Sequence, residues 1–337
     1  MAVDGAGNLI VADIGTDRVR VVAASTGTFY GQAVTAGDIE TVAGGGSVGD
    51  DGPAASATLS IPTGVAVDGT GDFVIADSWD NCVRVVAGVS GTFLGQPVTA
   101  GDISTVAGAC GGIQSFSGDG GPAASAGLAD PTATAFDRAG NLAITDTAND
   151  RIRVVAASSG TFYGQAMTAG DIYPVAGSGP SGSESPATTG SGGPATAATF
   201  SDPAGIAVDG AGNLIVVGLG TEVVVAATSG SFYGQAMTAG DLYSVGPAFG
   251  GAYGVAVDGS GNLVLAEGSE VQVLAGSSGT FYGQAMTAGH LSTVAGSGSA
   301  FQGPGDGGPA LDSVSRSRPG WRWTGRGTCW WPTPPTV

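Results

Sequence analysis

Residues 66–77 read AVDGTGDFVIAD. A short apolar run ends at Asp68, the chain passes through GTG, and a second apolar run begins at Phe73. Glycines at 69 and 71 supply the backbone freedom that a tight hairpin needs, so the phrase encodes two antiparallel strands. The phrase recurs as AVDGAGNLIVAD at 2–13, AFDRAGNLAITD at 135–146, AVDGAGNLIVVG at 207–218 and AVDGSGNLVLAE at 256–267. A second phrase, TFYGQAVTAGD at 28–38, recurs at 92–102, 161–171, 231–241 and 280–290. From Asp to Phe the two phrases are 25 residues apart in the first three copies (Asp4 to Phe29) and 23 in the last two (Asp209 to Phe232). Spacing is held inside each unit, and length varies mainly in the loops between units, which marks each unit as one structural module.

Within the second unit four strand-like runs are expected: Val65–Val67, Phe73–Ala76, Val83–Ala87 and Ile103–Ala107. Four antiparallel strands per repeat describe a β-propeller blade. The expected fold is therefore all-β, a propeller with five recognisable blades, its repeats starting near residues 1, 62, 131, 203 and 250 and filling 1–312. Each blade should run outward from its VDG strand, so that residues 65–67, 134–136, 206–208 and 255–257 line a central channel.

The string P-x-G-V-A-V-D-x-x-G-N-L-x-V-A-D, followed by R-V-R-V, a T-V-A-G run and a G-D-G-G-P-A loop, resembles the NHL repeat of six-bladed propellers. The copies of TFYGQAMTAGD are similar to an actinobacterial type within that family. The resemblance implies an extracellular or cell-envelope protein in its native full-length form. It does not specify a function, because propellers of this shape serve many roles.

Net charge is −18 and the chain has no lysine. Without a cationic surface, nucleic acid is not an expected partner. No run approaches 18 uninterrupted apolar residues, so no helical membrane span is expected.

Candidate chemistry is sparse. His290 is the single histidine and replaces the aspartate that closes the second phrase in the other copies, so it reads as a surface substitution rather than a catalytic group. Asp50, Asp51, Asp119 and Asp306 lie in Gly-rich GDDGPA and GDGGPA loops and are the candidates for calcium. Turn formation is the competing role, and no D-x-D-x-D-G spacing accompanies them. Arg18, Arg20, Arg84, Arg151 and Arg153 occupy matching places on the third strand and are expected to pair with Asp13, Asp77 and Asp146. Tyr30, Tyr163, Tyr233 and Tyr282 form the candidate aromatic binding surface, with packing of the long hairpin as the alternative. Cys82 and Cys110 fall at neighbouring ends of an antiparallel pair whose register the sequence leaves open. Neither a cofactor nor a catalytic residue is expected. The leading function is a scaffold presenting loops to a protein, peptide or glycan partner. The alternative is a lyase or lactonase with a polar or metal site in the channel.

Residues 320–337, GWRWTGRGTCWWPTPPTV, contain four of the five tryptophans. Tryptophan has the single codon TGG, so parts of the underlying bases are determined. Reading each codon from the last base of one residue and the first two of the next turns Trp323–Thr324 into Asp, Cys329–Trp330 into Leu, Trp330–Trp331 into Val and Trp331–Pro332 into Ala. Residues 313–337 are therefore expected to be a frame-shifted sixth repeat, the competing reading being a genuine Trp-rich tail.

Overall fold

A computed structural model describes residues 1–179, 188–218, 221–245, 252–268 and 270–296, together with the backbone strands Trp323–Thr324 and Thr328–Cys329. Five antiparallel sheets form the blades of a propeller. Blade 1 comprises Ala2–Val3, Leu9–Asp13, Arg18–Val22 and Ile39–Gly44. Blade 2 comprises Pro62–Val67, Phe73–Asp77, Cys82–Val86 and Asp102–Ala107. Blade 3 comprises Pro131–Phe136, Leu142–Asp146, Arg151–Val155 and Asp171–Ala176. Blade 4 comprises Pro203–Val208, Leu214–Gly218, Thr221–Val225 and Asp241–Ser244. Blade 5 comprises Ala252–Val257, Leu263–Glu267, Glu270–Leu274 and Leu291–Ala295. In each, the VDG strand is one edge of the sheet and packs against the VDG strand of a neighbouring blade.

Blades 2, 3 and 4 carry one strand more than the repeat pattern predicts. Gly52–Pro53, Gly121–Pro122 and Gly193–Pro194, from the loop preceding each blade, pair with that blade's outer strand. Proline has no N–H to donate, which suits it to an outer edge. The loop thus clips the far edge of the sheet before the chain turns in to start the first strand.

Between the third and outer strands the TFYGQ phrase forms its own two-stranded hairpin, such as Gly160–Phe162 with Gln165–Met167. Both turn residues are left-handed, Tyr163 at φ 50° and Gly164 at φ 78°, the geometry that suits a two-residue hairpin to strand twist. Tyrosine is an unusual residue for that conformation, and its side chain supplies the reason. The Tyr163 hydroxyl donates to Asp137 at 3.0 Å, and Tyr30, Tyr233 and Tyr282 donate to Asp4, Asp209 and Asp258 in the same way. The two repeated phrases are therefore bonded to each other, which explains their held spacing.

Each blade row also packs on its neighbour. In blade 4, Val208, Leu214, Val225 and Leu242 lie side by side across the strands and meet Ala143, Val154, Ala156 and Met167 of blade 3 in one apolar cluster. Equivalent clusters join blades 1 and 2, 2 and 3, and 4 and 5.

Tyr163 is 6% exposed whereas Tyr282 is 52% exposed. Replacing a buried donor to a carboxylate costs more than replacing one that water can substitute. Tyr163→Phe is expected to lower unfolding free energy by about 1.5 kcal/mol and Tyr282→Phe by clearly less; urea denaturation of both variants checks the order.

Candidate functional site

The VDG aspartates surround one end of the inner strands. A cavity of about 340 Å³ opens there, lined by Phe136, Asp137, Arg138, Val208, Asp209 and Asp258 among others. Its carboxylates are already engaged. Asp137 Oδ1 accepts the N–H groups of Ala139 and Asn141, and its Oδ2 accepts the Asn141 side-chain amide and the Tyr163 hydroxyl. Asp209 and Asp258 each accept the same four bonds. A carboxylate has about four acceptor positions, so these groups hold the turn and have little capacity left for a ligand. The Asn Oδ1 in turn accepts a backbone N–H from beyond the third strand: Ala157 for Asn141 and Ala227 for Asn213. Tyr30, Tyr163 and Tyr233 lie buried under this knot, and their phenols are pushed up by burial and by the adjacent carboxylates. They do not form an exposed aromatic surface; of the four candidates only Tyr282 is exposed.

Blade 2 departs from the pattern as a set. Asp72 replaces the asparagine and Leu94 the tyrosine, and Thr70 bridges the two carboxylates by donating its hydroxyl to Asp68 or Asp72. Arg138, which breaks the DG pair found in the other four copies, is exposed and, among the described residues, makes no ion pair. It is the cation at the rim of the cavity.

At the outer edge, the clip loops place their carboxylates on arginines. Asp50 accepts from Arg84 at 2.7 Å, and Asp119 from Arg153 at 2.5 Å. Asp77 and Asp146 lie on the other side of these guanidiniums, at 3.6 and 3.7 Å. The expected pairing with Asp77 and Asp146 therefore occurs for Arg84 and Arg153, extended by a loop carboxylate that was a candidate for calcium, whereas Arg151 donates to the Gly177 and Ser178 carbonyls. Neither Arg18 nor Arg20 forms an ion pair among the described residues, so pairing with Asp13 does not occur. Asp51 is exposed at φ 62° and accepts from Ser104, and Asp306 lies outside the described residues. Among the described residues no group of three or more His, Cys, Asp or Glu side chains has the placement to hold a metal. His290 is exposed in its hairpin turn.

The triad is replaced as a unit. Where blade 3 has Asp119, Asp146 and Arg153, blade 4 has Ser191, Gly218 and Val223. This joint loss was the signal in the sequence that could have revealed the triad.

Cys82 and Cys110 form a disulfide, Cα to Cα 5.0 Å. It fastens the loop after the outer strand of blade 2 to the start of the third strand. Asn81 donates to the Gly112 carbonyl, and the Gly111 N–H donates to Asp80 O. The braced loop presents Ile113, 88% exposed, beside the turn bearing Trp79, 57% exposed. Phe116 lies under the Arg151 guanidinium, 4.0 Å from ring centroid to Cζ.

Residues 59–86, from the end of the first clip loop through the third strand of blade 2, match the NHL repeat. No curated protein matches the chain significantly. Among solved structures, the chain is similar to a catalytically inactive virginiamycin B lyase from Staphylococcus aureus bound to quinupristin, at 14% identity and TM-score 0.44, over 81% of this chain and 64% of that one. It is also similar to a gluconolactonase from Xanthomonas campestris, at 14% identity and TM-score 0.46, over 81% and 70%. The chain thus spans less than two thirds of the lyase's length. Neither likeness bears on activity.

Two outcomes follow from the triads. Burial pushes the Asp77 carboxyl up to about 7 and that of Asp146 up to about 6, against an ordinary 3.8. The folded chain then binds more protons than the unfolded chain between about pH 4 and 7, so these groups make it more stable as pH falls through that window. Arg84 keeps Asp50 as a partner when Asp77 is protonated. Melting temperature is expected to be higher at pH 6 than at pH 8, and Asp77→Asn to reduce that difference; an unchanged difference would contradict the assignment. Arg153→Val strands the buried Asp146 charge and is expected to cost about 3–5 kcal/mol. Adding Asp146→Asn should recover part of that loss, as measured by a double-mutant cycle.

Proposed function

We propose that the chain is a rigid, acidic, non-enzymatic propeller that presents loops to a protein, peptide or glycan partner. The observation that carries this reading is the braced loop of blade 2. An exposed aliphatic side chain and the one tryptophan before residue 320 sit on neighbouring segments held by a disulfide and backbone hydrogen bonds. Holding apolar anchors in place before binding reduces the ordering cost that weakens most interfaces, and tryptophan is enriched among the residues that dominate binding energy. The saturated carboxylates at the channel mouth favour the same reading, since a general acid or base needs a free proton-accepting site. A disulfide of this kind is typical of an oxidising compartment, in keeping with export.

The competing reading, a channel lyase or lactonase, draws on the 340 Å³ cavity and Arg138. Peptide and glycan arrays probed with the purified chain, followed by calorimetry on the strongest binder, separate the two. Trp79→Ala and Ile113→Asp are each expected to weaken binding by about tenfold or more. Turnover of lactone or cyclic-ester substrates by the purified chain, lost in Arg138→Ala and kept in Trp79→Ala, would contradict the scaffold reading.

A further inference from the structure

The four joints between successive blades use one recurring contact. Gly31, Gly164 and Gly234, each following the hairpin tyrosine, come against the TAG glycine of the next blade: Gly101, Gly240 and Gly289, with Cβ-to-Cα approaches of 3.4–3.5 Å. Gly95, which follows Leu94, meets Gly170 more loosely, at 3.9 Å. Among the described residues two such glycines are left over: a Cβ on Gly283 of blade 5 or on Gly37 of blade 1 would meet nothing within 4 Å.

The apolar rows tell the same story. Blade 2 buries Phe73, Val86 and Ile103 completely against blade 1. The same row in blade 1 is Val3, Leu9, Val22 and Ile39, with Val3 64% and Ile39 43% exposed. On the far side, Val273, Ala275, Met286 and Phe281 of blade 5 repeat the positions of Val154, Ala156, Met167 and Phe162; the first three are buried, yet among the described residues their cluster contains no residue of another blade. Arg20 stands where Arg84 and Arg153 stand and, among the described residues, lacks the loop carboxylate that each of those has.

We infer that these two faces are the walls of a one-blade notch, and that its occupant is a sixth blade of the same repeat, encoded one base out of register with residues 317–337. Residues 305–310, GDGGPA, have the sequence of the clip loop that precedes blade 3 and differ from the one before blade 2 only in Gly307 for Asp51, and in both cases the loop fastens the blade following it. In the shifted frame the determined residues are Asp at 323/324 and Leu-Val-Ala at 329/330 to 331/332. They fall six to eight positions after the aspartate, as Ile10, Val11 and Ala12 follow Asp4. With G or C at the free third positions, the frame from Ser317 can read PAGVAVDGAGDLLVAD, an inner and a second strand, and an A at the Gly327 position would restore the asparagine. The occupant thus brings an inner row equivalent to Val208 and Leu214 for blade 5 to receive.

The test compares the chain as it stands with the product of the same gene after restoring one base at or before the Ser315 codon and translating to the stop of that frame. The present chain is expected to bind an apolar-surface dye, and the restored product to lose most of that fluorescence, remain monomeric, and melt at least about 5 °C higher. Ile39→Asp should leave the present chain's melting temperature within about 2 °C and lower that of the restored product by more than about 5 °C. Three results would each overturn the inference: a stop codon in that frame before Leu-Val-Ala, equal dye binding and melting of the two products, or a present chain that hides the faces by forming a concentration-dependent dimer.

Discussion

One hydrogen-bonded knot underlies the whole molecule: a VDG aspartate, the asparagine four residues on and a hairpin tyrosine about 25 residues later. In blade 3 these are Asp137, Asn141 and Tyr163. Asn141, fully buried, donates to the aspartate and accepts the Ala157 N–H. The knot ties the first turn, the end of the third strand and the hairpin into one body before any apolar contact between blades is counted. A buried polar network specifies a single arrangement when every member is satisfied, and here every member is. The left-handed tyrosine backbone is the strained element that the network sustains.

The knot also fixes how blades meet. It points the hairpin at the next blade, where a glycine-to-glycine contact leaves no room for a side chain: a Cβ on Gly289 would lie 2.7 Å from the Tyr233 carbonyl. Apolar rows then close behind it. Within this frame the outer edge varies freely, and blade 4 replaces the ionic triad of blade 3 with Ser191, Gly218 and Val223 without losing its sheet. Ionic clips at the rim are therefore interchangeable with small and apolar residues, whereas the knot is replaced only by the coordinated Thr70, Asp72 and Leu94 set of blade 2.

Much of this was legible in the sequence, because repetition aligns the chain with itself. The four strands of blade 2 lie within a few residues of where alternation and turn glycines place them. The Gly-Pro edge strands were not legible, since two residues of backbone pairing leave no periodic trace. The tyrosines misled in part: an aromatic side chain held constant across copies fits a binding surface as well as a buried donor, and only the position of Asp137 relative to Tyr163 decides it. Asp50 and Asp119 resembled metal ligands because an acidic, glycine-rich loop carries the same letters whether it faces a cation from solvent or the guanidinium of Arg84 or Arg153. The braced loop with Trp79 and Ile113 was hidden by an open Cys82–Cys110 register, which depends on where the outer strand ends.

Amide hydrogen exchange read at the N–H groups that the knot asparagines accept tests the account most directly. The Ala157 and Ala227 amides belong to knots covered by a following blade, and the Gly276 amide to the knot of blade 5, whose tyrosine Tyr282 is exposed and which no following blade covers among the described residues. The account predicts that Ala157 and Ala227 exchange only through global unfolding, while Gly276 exchanges at least about tenfold faster through local opening. Fast exchange at Ala157 and Ala227, at the rate of exposed loop amides, would contradict it.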